Sequence, residues 1–323
     1  MKMLKICVVG VGKWGVNHAR TLTSLNVDVG CVDNDIQRLN FLKESFPKIK
    51  IFQSLEESLK NGYDGYIIAT PPSSHTRIAK MLILNNKPVL VEKPLALSIH
   101  EAKELKKILM KNNGTLLVGH LLLFHPAIIK IKSMIDEGRI GKIQYIYSNR
   151  LNLGTVRSEE NVFWSLAPHD ISLFQFFSKS FPSDIYSTGG DFLQKNIHDT
   201  TITYLKYPNG IQGHIYVSWL HPFKEHRLVL IGSKGSLHFE DSGQNKPLLF
   251  YEKDETEDEN MISIKNKMSK KIEYEPSFPL ENELKYFIEI IKGDVIKKAG
   301  IDEGIDVIKI LEIASKSLNL NKI

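Results

Sequence analysis

The sequence predicts a doubly wound parallel α/β sheet followed by an α+β domain with a large, mostly antiparallel sheet. Three observations carry this. Over the first third of the chain, short apolar runs alternate with stretches of helical period. The first run ends in Gly10-Val11-Gly12-Lys13-Trp14-Gly15, a glycine turn between a strand and a helix. After His125-Pro126 the intervening helices disappear and longer strand-like runs follow one another. A chain of 323 residues is also too long for one ordinary core. The boundary is therefore set between residues 1–122, a Rossmann-like domain, and residues 123–323.

The elements follow in order. "LKICVVGVG", "VDVGCVDND", "KIKIF", "DGYIIAT", "PVLVEKP" and "TLLVGH" read as strands. Between them "GVNHARTLTSL", "DIQRLNFLKESF", "SLEESLKN", "SHTRIAKMLILNN" and "SIHEAKELKKILMKNN" read as helices. Ser54 with Glu57 three residues later is a capping-box pattern. Apolar strands separated by helices mean a parallel sheet covered on both faces. In the second part "AIIKIKSMIDEG" is a helix. "KIQYIYSNRLNL", "TTITYLKYP", "IQGHIYVSWL" and "HRLVLIGSKGSLHFE" are strand-like, with Asn209-Gly210 as a hairpin turn. "APHDISLFQFFSK" interrupts them as a helix, and "LENELKYFIEIIKG" and "GIDVIKILEIASKSL" close the chain. "DETEDENMISIKNKMSKK" reads as an exposed loop or a weak edge strand, and His125-Pro126 as a hinge.

Composition narrows the function classes. The chain is 42% apolar and 24% charged, as soluble globular proteins are. No apolar run is long enough to span a bilayer, and the first reads as a strand rather than a signal peptide, so a cytoplasmic protein is expected. The net charge of +5 is spread along the chain, with no basic cluster interleaved with aromatics, so no nucleic-acid partner is expected. Cys7 and Cys31 read as core thiols. His214, His221, His226 and His238 fall on strands whose alternation makes no metal set, so no metal is expected.

The glycine turn has the context that dinucleotide binding requires. Gly10 permits the turn, Gly12 lets backbone approach a pyrophosphate, and Gly15 lets the helix pack on the strand. Lys13 and Trp14 sit inside the turn, and the helix start favours phosphate. Asp33 ends the second strand, where a carboxylate accepts both ribose hydroxyls and repels a 2′-phosphate, favouring NAD over NADP. Its alternative is a helix cap or turn residue. Asn34 and Arg38 lie beside it, and Arg38 keeps NADP from being excluded. Thr70, Pro71 and His75 follow the fourth strand at its carboxyl end, where open α/β sheets bind ligands, although His75 also suits a helix start. Lys93 ends the next strand, held between Glu92 and Pro94. A lysine at that depth is costly unless its charge is used or its pKa is lowered. Beside a nicotinamide it would take a hydroxyl proton as the hydride moves. Glu92 would orient it or touch the ribose, and His120 ends the sixth strand nearby.

Gly10-x-Gly12-x-x-Gly15, Ala69-Thr70-Pro71, Glu92-Lys93-Pro94 and Gly119-His120, in this order and spacing, resemble the Gfo/Idh/MocA oxidoreductases over essentially the whole chain. The resemblance implies that Lys93 is catalytic and that His169, in "WSLAPHDIS", is the second-domain histidine of the family. Many members carry an aspartate four residues before that histidine. Ser165 stands there in this chain, which leaves Lys93 and His169 as a pair expected to converge on one hydroxyl.

The stretch from Ser148 to Asp170 precedes and opens the helix that carries His169. It gathers Arg150, Asn152, Arg157, Asn161 and Trp164, including two of only seven arginines. Arginine suits a diphosphate or carboxylate, and Trp164 a sugar ring or base. The alternatives are surface ion pairs for the arginines and a core role for Trp164. The stretch resembles the branch of the family that oxidises the 3-hydroxyl of UDP-N-acetylglucosamine or its uronate. In that branch a PLP-dependent aminotransferase then makes a 3-amino sugar for lipid A or surface polysaccharide. Two other readings stay open: dehydrogenation of a free polyol or hexose such as inositol, and a non-catalytic dinucleotide sensor. Strands such as "GHIYVSWLH" are apolar on both alternating sets, so a homodimer or homotetramer is expected.

Overall fold

A computed structural model describes residues 3–258, 261–266 and 268–320. The chain divides into two compact units, Met1–Phe124 with Ser277–Lys309, and His125–Pro276 with Ile310–Ile323.

The first unit runs β1 (Lys5–Val9), α1 (Lys13–Ser24), β2 (Asp28–Val32), α2 (Ile36–Ser45), β3 (Lys50–Phe52), α3 (Leu55–Leu59), β4 (Gly65–Ile68), α4 (His75–Leu84), β5 (Val89–Glu92), α5 (Ile99–Lys111) and β6 (Leu116–Gly119). All six strands are parallel, in the order β3-β2-β1-β4-β5-β6. β1, β4, β5 and β6 are buried nearly throughout, which is why they read as continuous apolar runs. Three of the helices start on side-chain caps: Asp35 on α2, Ser54 on α3 and Ser98 on α5. The Glu57 carboxylate accepts from the Gln53 amide rather than from Ser54, so the expected box closes one residue early. α1, α4 and α5 each end in a left-handed asparagine, Asn26, Asn86 and Asn113. The next amide in each case bonds back to Leu22, Leu82 or Leu109, a Schellman closure. The sheet order reverses between β1 and β4, and a cleft of this unit opens at their carboxyl ends.

The second unit begins with α6 (Pro126–Asp136), capped by His125, whose Nδ1 accepts from the Ala127 amide. β7 (Ile143–Leu153), α7 (Val162–Leu166), α8 (Pro168–Ser178), β8 (Asp184–Gly190), β9 (Thr200–Lys206), β10 (Gln212–Ser218), β11 (Leu220–Gly232), β12 (Gly235–Glu240), β13 (Leu248–Asp258), β14 (Met261–Asn266) and β15 (Lys270–Lys271) follow. The strands form one sheet in the order β14-β13-β12-β11-β7-β10-β9-β8, with β15 beside β13. Every pairing is antiparallel except β10 with β7. Gly210, at φ +86°, turns the β9–β10 hairpin as Asn209-Gly210 predicts. The polar stretch after Asp254 is ladder rather than loop: β13 continues through it and β14 forms the edge. Its residues 259, 260 and 267 lie outside the described residues.

α9 (Pro279–Ile291) and α10 (Ile301–Leu320) end the chain. A boundary at 122/123 assigns both to the second domain, whereas residues 277–309 return to the first unit. The reason is apolar burial. Ile301 and Ile305 join the core cluster of β4–β6 and α4–α5, and Gly65 lies against Ile291 and Phe287. The Val118 amide donates to the Ala299 carbonyl at 2.7 Å. Helical periodicity revealed these stripes but not which sheet they would cover.

Candidate functional site

The glycine turn is built by close approach. Gly10 adopts φ +92°, and a Cβ there would lie 2.8 Å from the Ala69 carbonyl oxygen. At Gly15 a Cβ would lie 1.8 Å from the Gly10 oxygen, so only glycine lets α1 rest on the turn. Gly12 faces open space and precedes α1 without a side-chain cap, and the first turn of α1 holds no acidic residue. That leaves amide donors and the positive end of the helix for a phosphate group.

Nine of the predicted cofactor residues line one cleft of about 690 Å³: Gly10, Gly12, Lys13, Trp14, Asp33, Asn34, Arg38, Thr70 and Pro71. Asp33 is buried at the end of β2. Its Oδ2 accepts from the Val11 amide at 2.7 Å and its Oδ1 from the Asp35 amide at 2.9 Å. The carboxylate thus ties β2 to the glycine turn, and each oxygen keeps a lone pair for a ribose hydroxyl. Arg38 pairs with Asp35 at 3.2 Å. Arg77 and Gln53 line the same cleft and were not singled out from the sequence. Arg77's signal was its place in the first turn of α4, directly after a strand's carboxyl end. These residues fit a dinucleotide: the turn is open at Gly12, and Asp33 is fixed where a ribose would lie.

Beside this cleft lies a polar interior. Glu92 Oε1 bonds His18 Nε2 at 2.7 Å, and Oε2 accepts from the Lys93 amide at 3.2 Å. Burial pushes the Glu92 carboxyl up, but His18 and the Lys93 charge outweigh it and hold it below the ordinary range. The Lys93–Pro94 peptide bond is cis. His75, predicted to touch cofactor, is buried instead and does not line the cleft. Its ring nitrogens meet the Pro94 and Thr70 carbonyls, both at 2.8 Å, so it ties the turn after Lys93 to the loop after β4. Burial draws its pKa below 6.5 despite both carbonyls. His120 is buried, and neither ring nitrogen has a hydrogen-bond partner. Burial lowers its pKa to about 4, with Glu92 opposing and Lys93 assisting, so the ring is neutral at neutral pH.

Sequence reasoning missed His18 and Glu283. Glu283 is buried on α9, and burial, with the Glu92 charge beside it, raises its carboxyl well above the ordinary range. Of these two carboxyls, Glu92 is held in its ionised form and the buried Glu283 is pushed toward keeping its proton. The available signal was a glutamate within the apolar stripe of Leu280, Leu284 and Phe287.

In the second unit the predicted substrate residues go separate ways. Arg150, expected at a diphosphate, is buried on β7 and grips Asp170 of α8 at two points, Nε to Oδ2 at 2.7 Å and Nη2 to Oδ1 at 3.1 Å. A guanidinium engaged in this way in the interior is not available to a ligand as an open surface group is. Asn152 Oδ1 is buried without a hydrogen-bond partner. Arg157 is more than half exposed and pairs with Glu160 at 3.2 Å. Asn161 caps α7 through the Trp164 amide, and the Trp164 indole donates to Ser315 Oγ at 2.9 Å. His169 lies half-buried in the first turn of α8, and its carbonyl accepts from Ser172 Oγ. Asp170, the residue after it, was not singled out from the sequence.

Comparison with known proteins agrees with this geometry. Residues 4–120 match the sequence model of the oxidoreductase family, NAD-binding Rossmann fold. Residues 128–238 match that of the GFO/IDH/MocA C-terminal domain. The scyllo-inositol 2-dehydrogenase (NAD(+)) of Bacillus subtilis is 26% identical over 72% of this chain and 73% of its own. The UDP-N-acetylglucosamine 3-dehydrogenase of Acidithiobacillus ferrooxidans is 27% identical over 56% of each chain. A crystal structure of that enzyme superposes with a TM-score of 0.87 over 99% of both chains, at 20% identity. An Agrobacterium radiobacter oxidoreductase solved with NAD+, L-tartaric acid and magnesium gives 0.81 over 98% of this chain and 97% of its own, at 17% identity.

Proposed function

The chain belongs to the Gfo/Idh/MocA oxidoreductase family, and from that membership we propose that it oxidises the 3-hydroxyl of a UDP-linked amino sugar, of the UDP-N-acetylglucosamine type, to the 3-keto sugar with NAD. The observation that carries the redox half is the cleft at the ends of β1, β2 and β4, with the open amides at Gly12 and the fixed Asp33 carboxylate. NAD, when bound, supplies the hydride acceptor. The amides after Gly12 would hold its phosphates and Asp33 its ribose hydroxyls. Lys93 is the proposed base for the sugar hydroxyl. The Glu92 carboxylate holds its own place through His18 and takes the Lys93 amide, which fixes the turn that carries the lysine. His120, kept neutral by burial, adds no positive charge against Lys93. His169 is proposed as a second proton-handling group, and Arg157, Asn152 and Trp164 as contacts to the nucleotide sugar.

The 3-keto product is the type of substrate that a PLP-dependent aminotransferase converts to a 3-amino sugar. A homodimer or homotetramer belongs to the same proposal. The sheet face opposite α8 presents Tyr145, Tyr147, Tyr186, Ile202, Tyr204 and Tyr216, with Tyr147 stacked on His214 at 5.2 Å. Such a face suits a second copy better than water. The runner-up is a free polyol of the inositol type, favoured by the inositol dehydrogenase among the relatives. NADH formation across UDP-N-acetylglucosamine, its uronate, myo-inositol and glucose separates the two. Turnover of a UDP-sugar, with UDP alone binding, is the expected result. Inositol turnover without UDP binding overturns it.

A further inference from the structure

Arg150 and Asp170 are 20 residues apart and both buried, on β7 and on the first turn of α8. α8 opens at Pro168 after Ala167, and no side chain caps it. Asp170 therefore sits in the first turn of a helix, where the positive end of the helix dipole favours its charge, and directly follows His169. Across the sheet, Arg150 is in register with His226 of β11. Burial and then the Arg150 charge hold His226 down to about 3, so it stays neutral beside the guanidinium. Asp241, Glu240 and Lys224 complete the charged groups acting on this cluster. Asp170 is thus the direct anionic partner of Arg150 and ties β7 to the turn carrying His169. A planar fork held at two points restrains rotation as well as distance.

We propose that the Arg150–Asp170 fork is a positioning device for His169: it orients the first turn of α8, and through it the imidazole, without touching substrate. The proposal rests on the reading of His169 as a proton-handling group. A mere packing role would make the pair replaceable by apolar side chains, since buried ion pairs are often exchanged for them without loss of stability.

The test uses Asp170→Asn, Arg150→Lys and the double variant Arg150→Met with Asp170→Leu, in the full chain. The first readout is the titration of the His169 ring by NMR in histidine-labelled protein, assigned with His169→Ala. Asp170→Asn should move that titration by about half a pH unit or more, and Arg150→Lys in the same direction. The second readout is turnover of UDP-N-acetylglucosamine with NAD. kcat should fall about 10- to 100-fold with KM little changed, and Asp170→Asn should add no further loss in the His169→Ala background. The double variant should stay folded, with the same lowered kcat. An unmoved His169 titration overturns the proposal, as does an equal loss in the His169→Ala background or a double variant of normal kcat. If wild-type protein turns over no UDP-sugar, the substrate reading fails, while the His169 titration still decides this one.

Discussion

The glycine turn of the first unit and the stretch Ser148 to Asp170 of the second, with its irregular residues 154–161, are both predicted to meet a ligand, and they are built in opposite ways. The turn is backbone: a positive φ at Gly10, a missing Cβ at Gly15 and open amides after Gly12. Residues 154–161 have no regular secondary structure, and several of their side chains pair locally, Arg157 with Glu160 and Asn161 with the start of α7. Backbone geometry is written in the spacing of a few glycines, so it survives being read without a fold. Side-chain function depends on which partner arrives from elsewhere, as Asp170 does for Arg150.

Lys93→Met should break the chemistry of the first unit most completely. Turnover should fall about two to four decades while NAD affinity stays near wild type. Near-normal turnover with NAD bound would make this lysine structural and move the comparison's weight to His169.

Two glycine substitutions sharpen the point within the turn. Gly15→Ala drives a methyl into the Gly10 carbonyl, and should cost about 3 kcal/mol and abolish NAD binding. Gly12→Ala meets open space, so urea unfolding should be unchanged while NAD binding weakens. Equal destabilisation by both would mean that Gly12 also serves packing.

His120 gives a pH test. Its folded pKa lies near 4 against an ordinary 6.5, so the folded chain binds fewer protons than the unfolded one between those values. The stability it contributes is present above pH 6.5 and is lost as pH falls through 4, roughly 3 kcal/mol in all. Unfolding curves at pH 7 and 4.5 should converge for His120→Asn relative to wild type. An unchanged slope would mean that water or another group already satisfies the ring.

The smallest effect is expected at Arg157. Its ion pair is exposed, so Arg157→Ala should change stability by less than about 0.5 kcal/mol. A loss of affinity for UDP-sugar without loss of kcat would assign this loop to the diphosphate. No change in either would leave Arg157 as an ordinary surface pair.

Legibility followed the same division. The six parallel strands, the cleft and nine of its lining residues could be read because period, glycine spacing and strand ends are local signals. The return of α9 and the first half of α10 could not, because an apolar helix face does not name the sheet it will cover. His75 kept two readings for a related reason: a histidine after a strand end looks the same whether it faces a ligand or starts a helix and meets two carbonyls.

The residue pattern alone therefore determined the two-part architecture, the dinucleotide turn and the strand-end lysine, since each follows from sterics and periodicity within a few residues. Tertiary structure decided the rest. It placed Glu283 beside Glu92, gave His18 to Glu92, and turned Arg150 inward to Asp170. Each of these joins groups 20 to 191 residues apart. The charge states of such groups are set by burial and by each other, which no local pattern specifies.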